Sequence, residues 1–113
     1  NDQQPDKIFY QGLAWRALGD ENRARGCFNK LIKHGEKHLF DTCRIDYFAV
    51  SLPDLAIWED DLNKRNRIHC NYVMGLGYLG LDEIPEAAGF LDKVIELDIN
   101  HQGAQIHRSL CDA

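Results

Sequence analysis

The sequence lacks the features that would assign a function directly. No apolar run approaches the roughly 20 residues that a membrane-spanning helix needs. The net charge is −5, and the one basic stretch, NKRNR at 63–67, closely follows three acids at 59–61. A clustered basic face is required to bind phosphates. We therefore expect neither a membrane nor a nucleic acid as a partner.

Cysteine pairs of the zinc-binding kind are also absent. The four cysteines lie far apart and form no Cys-x-x-Cys motif; they are Cys27, Cys43, Cys70 and Cys111. All except Cys111 lie in apolar or helical sequence, where a free cysteine behaves as a small buried side chain. Free thiols favour a reducing compartment such as the cytoplasm. The opening NDQQPD has no initiator methionine and no signal-peptide pattern, so we expect a piece of a longer protein.

Catalytic and metal-binding motifs are weak or missing. GLGYLG at 75–80 has closely spaced glycines, but it lies inside a predicted helix and not after a strand, which argues against a nucleotide loop. HGEKH at 34–38 places His34 and His38 four residues apart. Gly35 predicts a helix break between them, and no third ligand is evident. We predict no enzyme activity, no metal and no cofactor.

The strongest feature is an internal repeat, whose two copies match at one constant 63-residue offset. Matching side-chain classes recur in order, and apolar residues at steps of three and four predict two helices in each copy. The matching pairs are Phe9 and Tyr72, Gly12 and Gly75, Leu13 and Leu76, Trp15 and Tyr78, Leu18 and Leu81, Ala24 and Ala87, Phe28 and Leu91, Leu31 and Val94, and Ile32 and Ile95.

Each copy contains a turn between its two helices, GDEN at 19–22 or DEIP at 82–85. Gly19 can adopt the left-handed conformation that ends a helix, and Asp20 can cap the next one. Pro85 suits the first turn of the following helix. The sequence therefore predicts two copies of one antiparallel helix hairpin.

Small residues recur inside both predicted hairpins. Gly12 and Ala24 in the first copy match Gly75 and Ala87 in the second. A helical glycine costs up to about 1 kcal/mol relative to alanine, so two glycines at matching places indicate a packing role. We expect each glycine to face its alanine across the hairpin and to let the helices approach closely.

The two copies, GLAWRALGDENRARGCFNKLI and GLGYLGLDEIPEAAGFLDKVIELDIN, resemble the tetratricopeptide repeat, a helix–turn–helix unit of about 34 residues. Asp82 and Ile99 depart from the family's usual turn glycine and closing proline. The resemblance implies an all-α fold, an α-solenoid of antiparallel hairpins. The expected organisation is a repeat over 5–35, an irregular helical segment over 36–61, a repeat over 62–99, and a further or capping helix over 100–113.

The middle segment is about five residues too short to be one more unit, because two units around a third would be offset by about 68 residues. We expect a third helix over 36–50 that ends before Pro53. PDLAIW would form a short turn, with Trp58 anchoring the joint. Asp60 or Asp61 would cap a long helix running from about 62 to 80.

The stretch DYFAVSLPDLAIWEDDLNKRNRIHC, followed by GLGYLGL, is similar to the repeat region of large bacterial proteins that join tetratricopeptide repeats to a sugar-mutarotase-like domain of unknown role. This similarity implies a bacterial parent protein with a carbohydrate-related domain. It assigns no chemistry to these residues.

The tetratricopeptide resemblance implies a protein-interaction scaffold with a concave groove. The groove residues it implies are Asp6, Phe9, Leu13, Arg16, His69, Tyr72, Leu76 and Leu79. The residues it implies for packing between the helices are Gly12, Trp15, Ala24, Phe28, Gly75, Tyr78, Ala87 and Leu91.

The groove positions of the first copy carry Asp6, Phe9 and Leu13 in place of the Lys, Arg and Asn that grip a peptide carboxylate in one subfamily. An apolar or aromatic partner protein or peptide is therefore expected. The alternative is a structural repeat region that docks onto, or positions, a carbohydrate-related catalytic domain of the parent. Self-association through exposed solenoid ends is a further alternative.

Overall fold

Helices make up almost all of the described chain. The computed structural model describes residues 5–39 and 53–112, with side chains from residue 62 onward in the second range. These residues form five α-helices and no strand: α1 (Pro5–Ala17), α2 (Glu21–His38), α3 (Pro53–Gly80), α4 (Ile84–Leu97) and α5 (Gln102–Leu110). The predicted all-α class is confirmed. None of these helices is both long enough and apolar enough to cross a membrane.

The core is built where successive helices meet. Each helix packs against the next one along the chain, and α1 also packs against α3. All five helices contribute to a single apolar cluster, which contains Phe9, Ala24, Phe28, Leu31, Tyr72, Val73, Leu76, Leu91, Val94 and Ala104. The first repeat copy (α1 and α2) and the second (the last part of α3, with α4) are therefore in direct contact.

The turns of the two copies have matching backbone geometry at the offset of the repeat. The amide of Asp20 donates to the carbonyl of Trp15 at 2.9 Å, and the amide of Glu83 donates to that of Tyr78 at 3.0 Å. Gly19 has φ +86°, and Asp82 has φ +67°. A left-handed residue thus ends the first helix of each copy, as predicted for Gly19.

Gly12 and Gly75 allow the close approach within each hairpin, but their neighbours differ from the expectation. A Cβ atom at Gly12 would lie 2.5 Å from Cε1 of Phe28, and one at Gly75 would lie 2.8 Å from Cδ2 of Leu91. The predicted pairing of each glycine with an alanine is therefore wrong. In both hairpins the large side chain at the same repeat position of the second helix fills the space that the missing Cβ leaves.

Glycines also bring α2 and α3 together. Gly35 lies inside α2, so the helix break expected there does not occur. A Cβ atom at Gly35 would meet the side chain of Met74 and lie 2.9 Å from the carbonyl oxygen of Cys70. On the other helix, a Cβ at Gly80 would collide with the ring of Phe28. Phe28 therefore packs against both α1 and α3.

The start of α3 differs from the sequence prediction. The helix begins at Pro53 and not near residue 62, so Asp60 and Asp61 lie inside it and do not cap it. Proline is well suited to the first helical position because its missing N–H has no partner there. Most of the helix expected over 36–50 lies outside the described residues, as does the side chain of Trp58.

Candidate functional site

Three of the eight predicted groove residues lie in the core. Phe9 is 3% exposed, Tyr72 is 6% exposed and Leu76 is fully buried. Leu13 and Leu79 are half-buried and pack against the same cluster. The large apolar side chains of the predicted groove are therefore covered, fully or in part, by neighbouring helices.

The other three predicted groove residues, Asp6, Arg16 and His69, form contacts in three different parts of the molecule. Asp6 accepts a hydrogen bond of 2.6 Å from the hydroxyl of Tyr72, which joins α1 to α3. Arg16 forms an ion pair with Glu21 at 3.0 Å. His69 packs edge-on against His34 of α2, with ring centroids 6.0 Å apart. The structure therefore brings Asp6 and Tyr72 together but leaves no open groove lined by all eight residues.

A polar network connects α5 to α1 and α3. His107 is only 3% exposed, and its Nδ1 lies 2.7 Å from the carbonyl oxygen of Gly103. A carbonyl oxygen can only accept, so Nδ1 carries the proton. The hydroxyl of Tyr10 lies within hydrogen-bond distance of Nε2 of the same ring, at 3.0 Å. The ring of His107 also packs edge-on against Phe9, at 5.4 Å between centroids.

The chemistry of this network is structural. Burial, followed by the hydrogen bond to Asp6, raises the pKa of the Tyr72 hydroxyl far above its usual range. Tyr72 therefore stays protonated and serves as a hydrogen-bond donor. Among the described side chains, no buried nitrogen or oxygen atom lacks a hydrogen-bond partner. Such satisfied buried networks hold elements in one arrangement.

Three histidines meet where α2 packs on α3. The ring centroids of His34 and His38 lie 4.6 Å apart, and those of His34 and His69 lie 6.0 Å apart. Desolvation, with a smaller contribution from His38, lowers the pKa of His34, and desolvation also lowers the pKa of His69. Over the described residues, no three His, Cys, Asp or Glu side chains are arranged to hold a metal ion.

The three cysteines among the described residues form no disulfide. Cys70 is buried in α3, while Cys27 and Cys111 are half-buried. Burial raises the pKa of the Cys111 thiol, which disfavours the reactive thiolate. Cys43 lies outside the described residues. Cys70 is buried, as the sequence predicted, whereas Cys27 is only half-buried.

The outer face of α1 carries an open groove that the sequence reasoning did not identify. Its volume is about 410 Å³, and it is lined by Gln11, Ala14, Trp15 and Leu18. These residues follow the three- and four-residue spacing of one helix face. Leu18 is 76% exposed, the most exposed of the large apolar side chains described. We call this surface the α1 groove.

The helical spacing of the α1 groove residues is visible in the sequence, but the exposure of Leu18 is not. Leu18 matches Leu81 in the repeat, and neither was assigned to the groove or to packing between the helices. Leu81 is half-buried and packs against the core, whereas Leu18 is exposed. By contrast, Tyr10 and His107 lie 97 residues apart, and nothing in the local pattern predicts their hydrogen bond.

Comparison with known proteins adds no family: neither a family model nor a solved structure matches the chain.

Proposed function

We propose that this chain is a tetratricopeptide-like helical-repeat module, an α-solenoid segment that binds a protein or peptide through the α1 groove. Helical repeats present extended surfaces on rigid stacked hairpins, which suits them to hold a partner segment without catalysis. The observation that carries the proposal is the α1 groove itself, with Leu18 exposed on an ordered helix and the half-buried Trp15 beside it in the lining.

The repeat geometry supports a solenoid arrangement. The two hairpins agree in the start of their second helix, in turn hydrogen bonds and in close glycine contacts at one constant offset. Each helix packs on its successor, and the first helices of the two hairpins also touch. This nearest-neighbour pattern is typical of stacked helical repeats.

The groove favours an apolar or aromatic side chain of the partner. Ala14, Trp15 and Leu18 give the groove an apolar lining, and the guanidinium of Arg23 lies over the Trp15 ring at 4.6 Å. Arg23 also forms an ion pair with Asp20 at 3.4 Å, so its charge is already compensated. The amide of Gln11 is the one polar lining group, and it can bond to a peptide backbone.

The proposal can be tested with a random peptide library selected against the immobilised chain. Enriched peptides should carry an aromatic or long aliphatic residue. Leu18→Asp should weaken the binding of an enriched peptide by at least about tenfold, since an apolar contact worth roughly 1.4 kcal/mol is lost. Leu18 is strongly exposed, so the fold should be retained.

Ile99→Asp is the matched control. Ile99 is 71% exposed, so the substitution removes a similar aliphatic group and adds the same charge away from α1. Peptide binding to this variant should stay within about twofold of the unchanged chain. Failure to enrich any peptide, or equal binding to both variants, would contradict a binding role for the α1 groove.

A further inference from the structure

Two histidines of α2 lie next to each other on an uninterrupted helix. His34 and His38 are four residues apart, and side chains at that spacing are neighbours on a helix surface. Their ring centroids are 4.6 Å apart. The sequence argument against a metal at this pair relied in part on a helix break at Gly35. Gly35 lies inside α2, so that objection does not hold for the folded chain.

The pair lies beside the packed interface between α2 and α3 and not within it. Gly35 is buried and makes the close contact, because a Cβ atom there would meet the side chain of Met74. By contrast, His34 is exposed and His38 is half-buried. Both rings can therefore be reached from solvent while the backbone beneath them is held by the packing of two helices.

The position of the pair at the carboxyl end of α2 favours a positive ion. The helix ends at His38, and the last carbonyl groups of a helix form the negative end of its dipole. The side-chain amide of Asn66 in α3 donates to the carbonyl oxygen of His38 at 2.8 Å, which fixes this end of the helix. The two imidazoles thus project from an ordered backbone whose local dipole attracts a cation.

We propose that His34 and His38 together bind one divalent transition-metal ion of the class of Ni²⁺, Cu²⁺ and Zn²⁺. Imidazole nitrogen is a ligand that these ions prefer. Two histidines four residues apart on a helix are also the pair that a helix supplies to zinc in the HExxH motif. The proposed site involves α2 and its contact with α3, and it does not depend on the α1 groove.

The geometry suits two protein ligands with solvent at the other positions. Nitrogen ligands lie about 2.1 Å from such an ion, so two of them on one ion are roughly 3 Å apart. Imidazole rings with centroids 4.6 Å apart reach that separation by rotation about their side-chain bonds. Over the described residues, no third side chain completes a ligand set. His69 of α3 packs edge-on against His34 at 6.0 Å and acts as a neighbour that restricts the ring, not as a ligand.

The charges around the pair make the site selective. Lys37 lies next to His38 in the sequence and opposes any bound cation. Mg²⁺ and Ca²⁺ are held by oxygen ligands, chiefly carboxylates, and two imidazoles offer none. Only an ion that forms strong bonds to nitrogen overcomes the repulsion from Lys37, so Mg²⁺ and Ca²⁺ should not bind here.

Ni²⁺ is a suitable probe, because it binds imidazole and does not oxidise the thiols of the chain. Calorimetric titration of Ni²⁺ into the whole chain should show one site per molecule, and Mg²⁺ should show none. Ni²⁺ is paramagnetic, so at substoichiometric amounts it should broaden amide resonances around residues 34–38 first. His34→Gln and His38→Gln should each weaken binding at least about tenfold, because one imidazole alone cannot chelate the ion.

A variant with relocated histidine tests the spacing directly. Glu36→His combined with His38→Gln keeps all five histidines of the chain but moves one of them. Residue 36 lies roughly 200° around the helix from His34, so this variant should bind as weakly as His38→Gln. Glu36→His alone and His69→Gln should keep Ni²⁺ affinity within about twofold, as expected for surface substitutions outside the ligand pair. Circular dichroism melting of each variant would show that its fold is intact.

Three results would overturn the proposal. The first is an unchanged Ni²⁺ affinity in His38→Gln, and the second is full affinity in the variant with the relocated histidine. The third is a tenfold loss in His69→Gln, or broadening centred on another histidine, which would assign the ion to a different set of ligands. None of these measurements involves Leu18 or a peptide, so this proposal and the proposed function fail independently.

Discussion

In the first hairpin the ring of Phe28 covers Gly12, whereas in the second the smaller side chain of Leu91 covers Gly75. The difference continues at the preceding repeat position, where Cys27 in α2 corresponds to Phe90 in α4. The Phe90 ring stacks on Tyr78 with centroids 5.4 Å apart and planes within 1°. At these two repeat positions, the first hairpin has its ring, Phe28, in the core. The second hairpin has its ring, Phe90, at the half-buried edge.

This exchange shows how two hairpins with different sequences have the same backbone geometry. Phe28 reaches past its own hairpin, because it also fills the space beside Gly80 of α3. The large ring is needed at the position where both hairpins meet, and leucine suffices where α4 covers Gly75. Substitutions at equivalent positions should therefore have unequal effects, and these inequalities test the comparison.

The largest effect is expected from Phe28→Ala, compared with Leu91→Ala. Both side chains are fully buried. Truncation of a buried phenylalanine costs about 4 kcal/mol of unfolding free energy, and truncation of a buried leucine about 3 kcal/mol. Phe28 should be the more costly because its cavity would adjoin α1 and α3. Urea denaturation followed by circular dichroism measures both, and a larger loss for Leu91→Ala would contradict the assignment of Phe28 to both interfaces.

The next effect concerns the glycines that the large side chains cover. Gly12→Ala forces a Cβ to within 2.5 Å of a rigid aromatic ring, so we expect a loss of about 2 kcal/mol. Gly75→Ala should cost about 1 kcal/mol, because the Leu91 side chain can rotate away. Thermal denaturation at matched concentrations compares the two variants.

Gly26 and Gly89 provide a control within the same repeat. They are separated by the repeat offset, each lies inside a second helix, and a Cβ atom would meet nothing within 4 Å at either site. Gly26→Ala and Gly89→Ala should therefore stabilise the fold by about 0.5–1 kcal/mol through helix propensity. Destabilisation in all four glycine variants would indicate a general intolerance and not specific close packing.

The third effect concerns the left-handed residue of each turn. Gly19→Ala should cost about 1.5 kcal/mol, since a Cβ is unfavourable at φ +86°. Asp82→Gly should instead stabilise the second turn by several tenths of a kcal/mol, because Asp82 adopts φ +67°. Chemical denaturation of both variants checks these opposite signs. Equal and negligible changes would show that the turns relax easily.

The hairpins were predictable from the sequence because their determinants are local and occur twice. The spacing of apolar residues, together with Gly19 and Asp20, predicted the first turn. The repeat match then predicted a second turn at the equivalent positions. The start of α3 was not predicted, since Pro53 is compatible with either a break or a first helical residue. Helical periodicity alone does not choose between them.

The side-chain environment of the expected groove was harder to predict. The repeat pattern places Phe9 and Tyr72 on the first helices, but their burial depends on contacts with α5. His107 lies near the opposite end of the chain from Phe9, and sequence spacing carries no information on how tightly α1, α3 and α5 approach. The α1 groove was missed for a related reason: Leu18 and Leu81 match in sequence, yet only Leu81 packs against the core.

The last prediction compares the two helix caps, whose expected difference is only about 0.5 kcal/mol. The side chain of Asp20 accepts a hydrogen bond of 3.1 Å from the amide of Arg23, whereas Glu83 caps α4 without a side-chain bond. Asp20→Ala should therefore destabilise the chain by about 1 kcal/mol, and Glu83→Ala by less than about 0.5 kcal/mol. Equilibrium urea unfolding resolves such a difference. Glu83→Asp should recover part of the missing cap, because a shorter carboxylate can reach the amide of Glu86. If Glu83→Ala instead proved as costly as Asp20→Ala, the second turn would depend on Glu83 in a way that its backbone position alone does not explain.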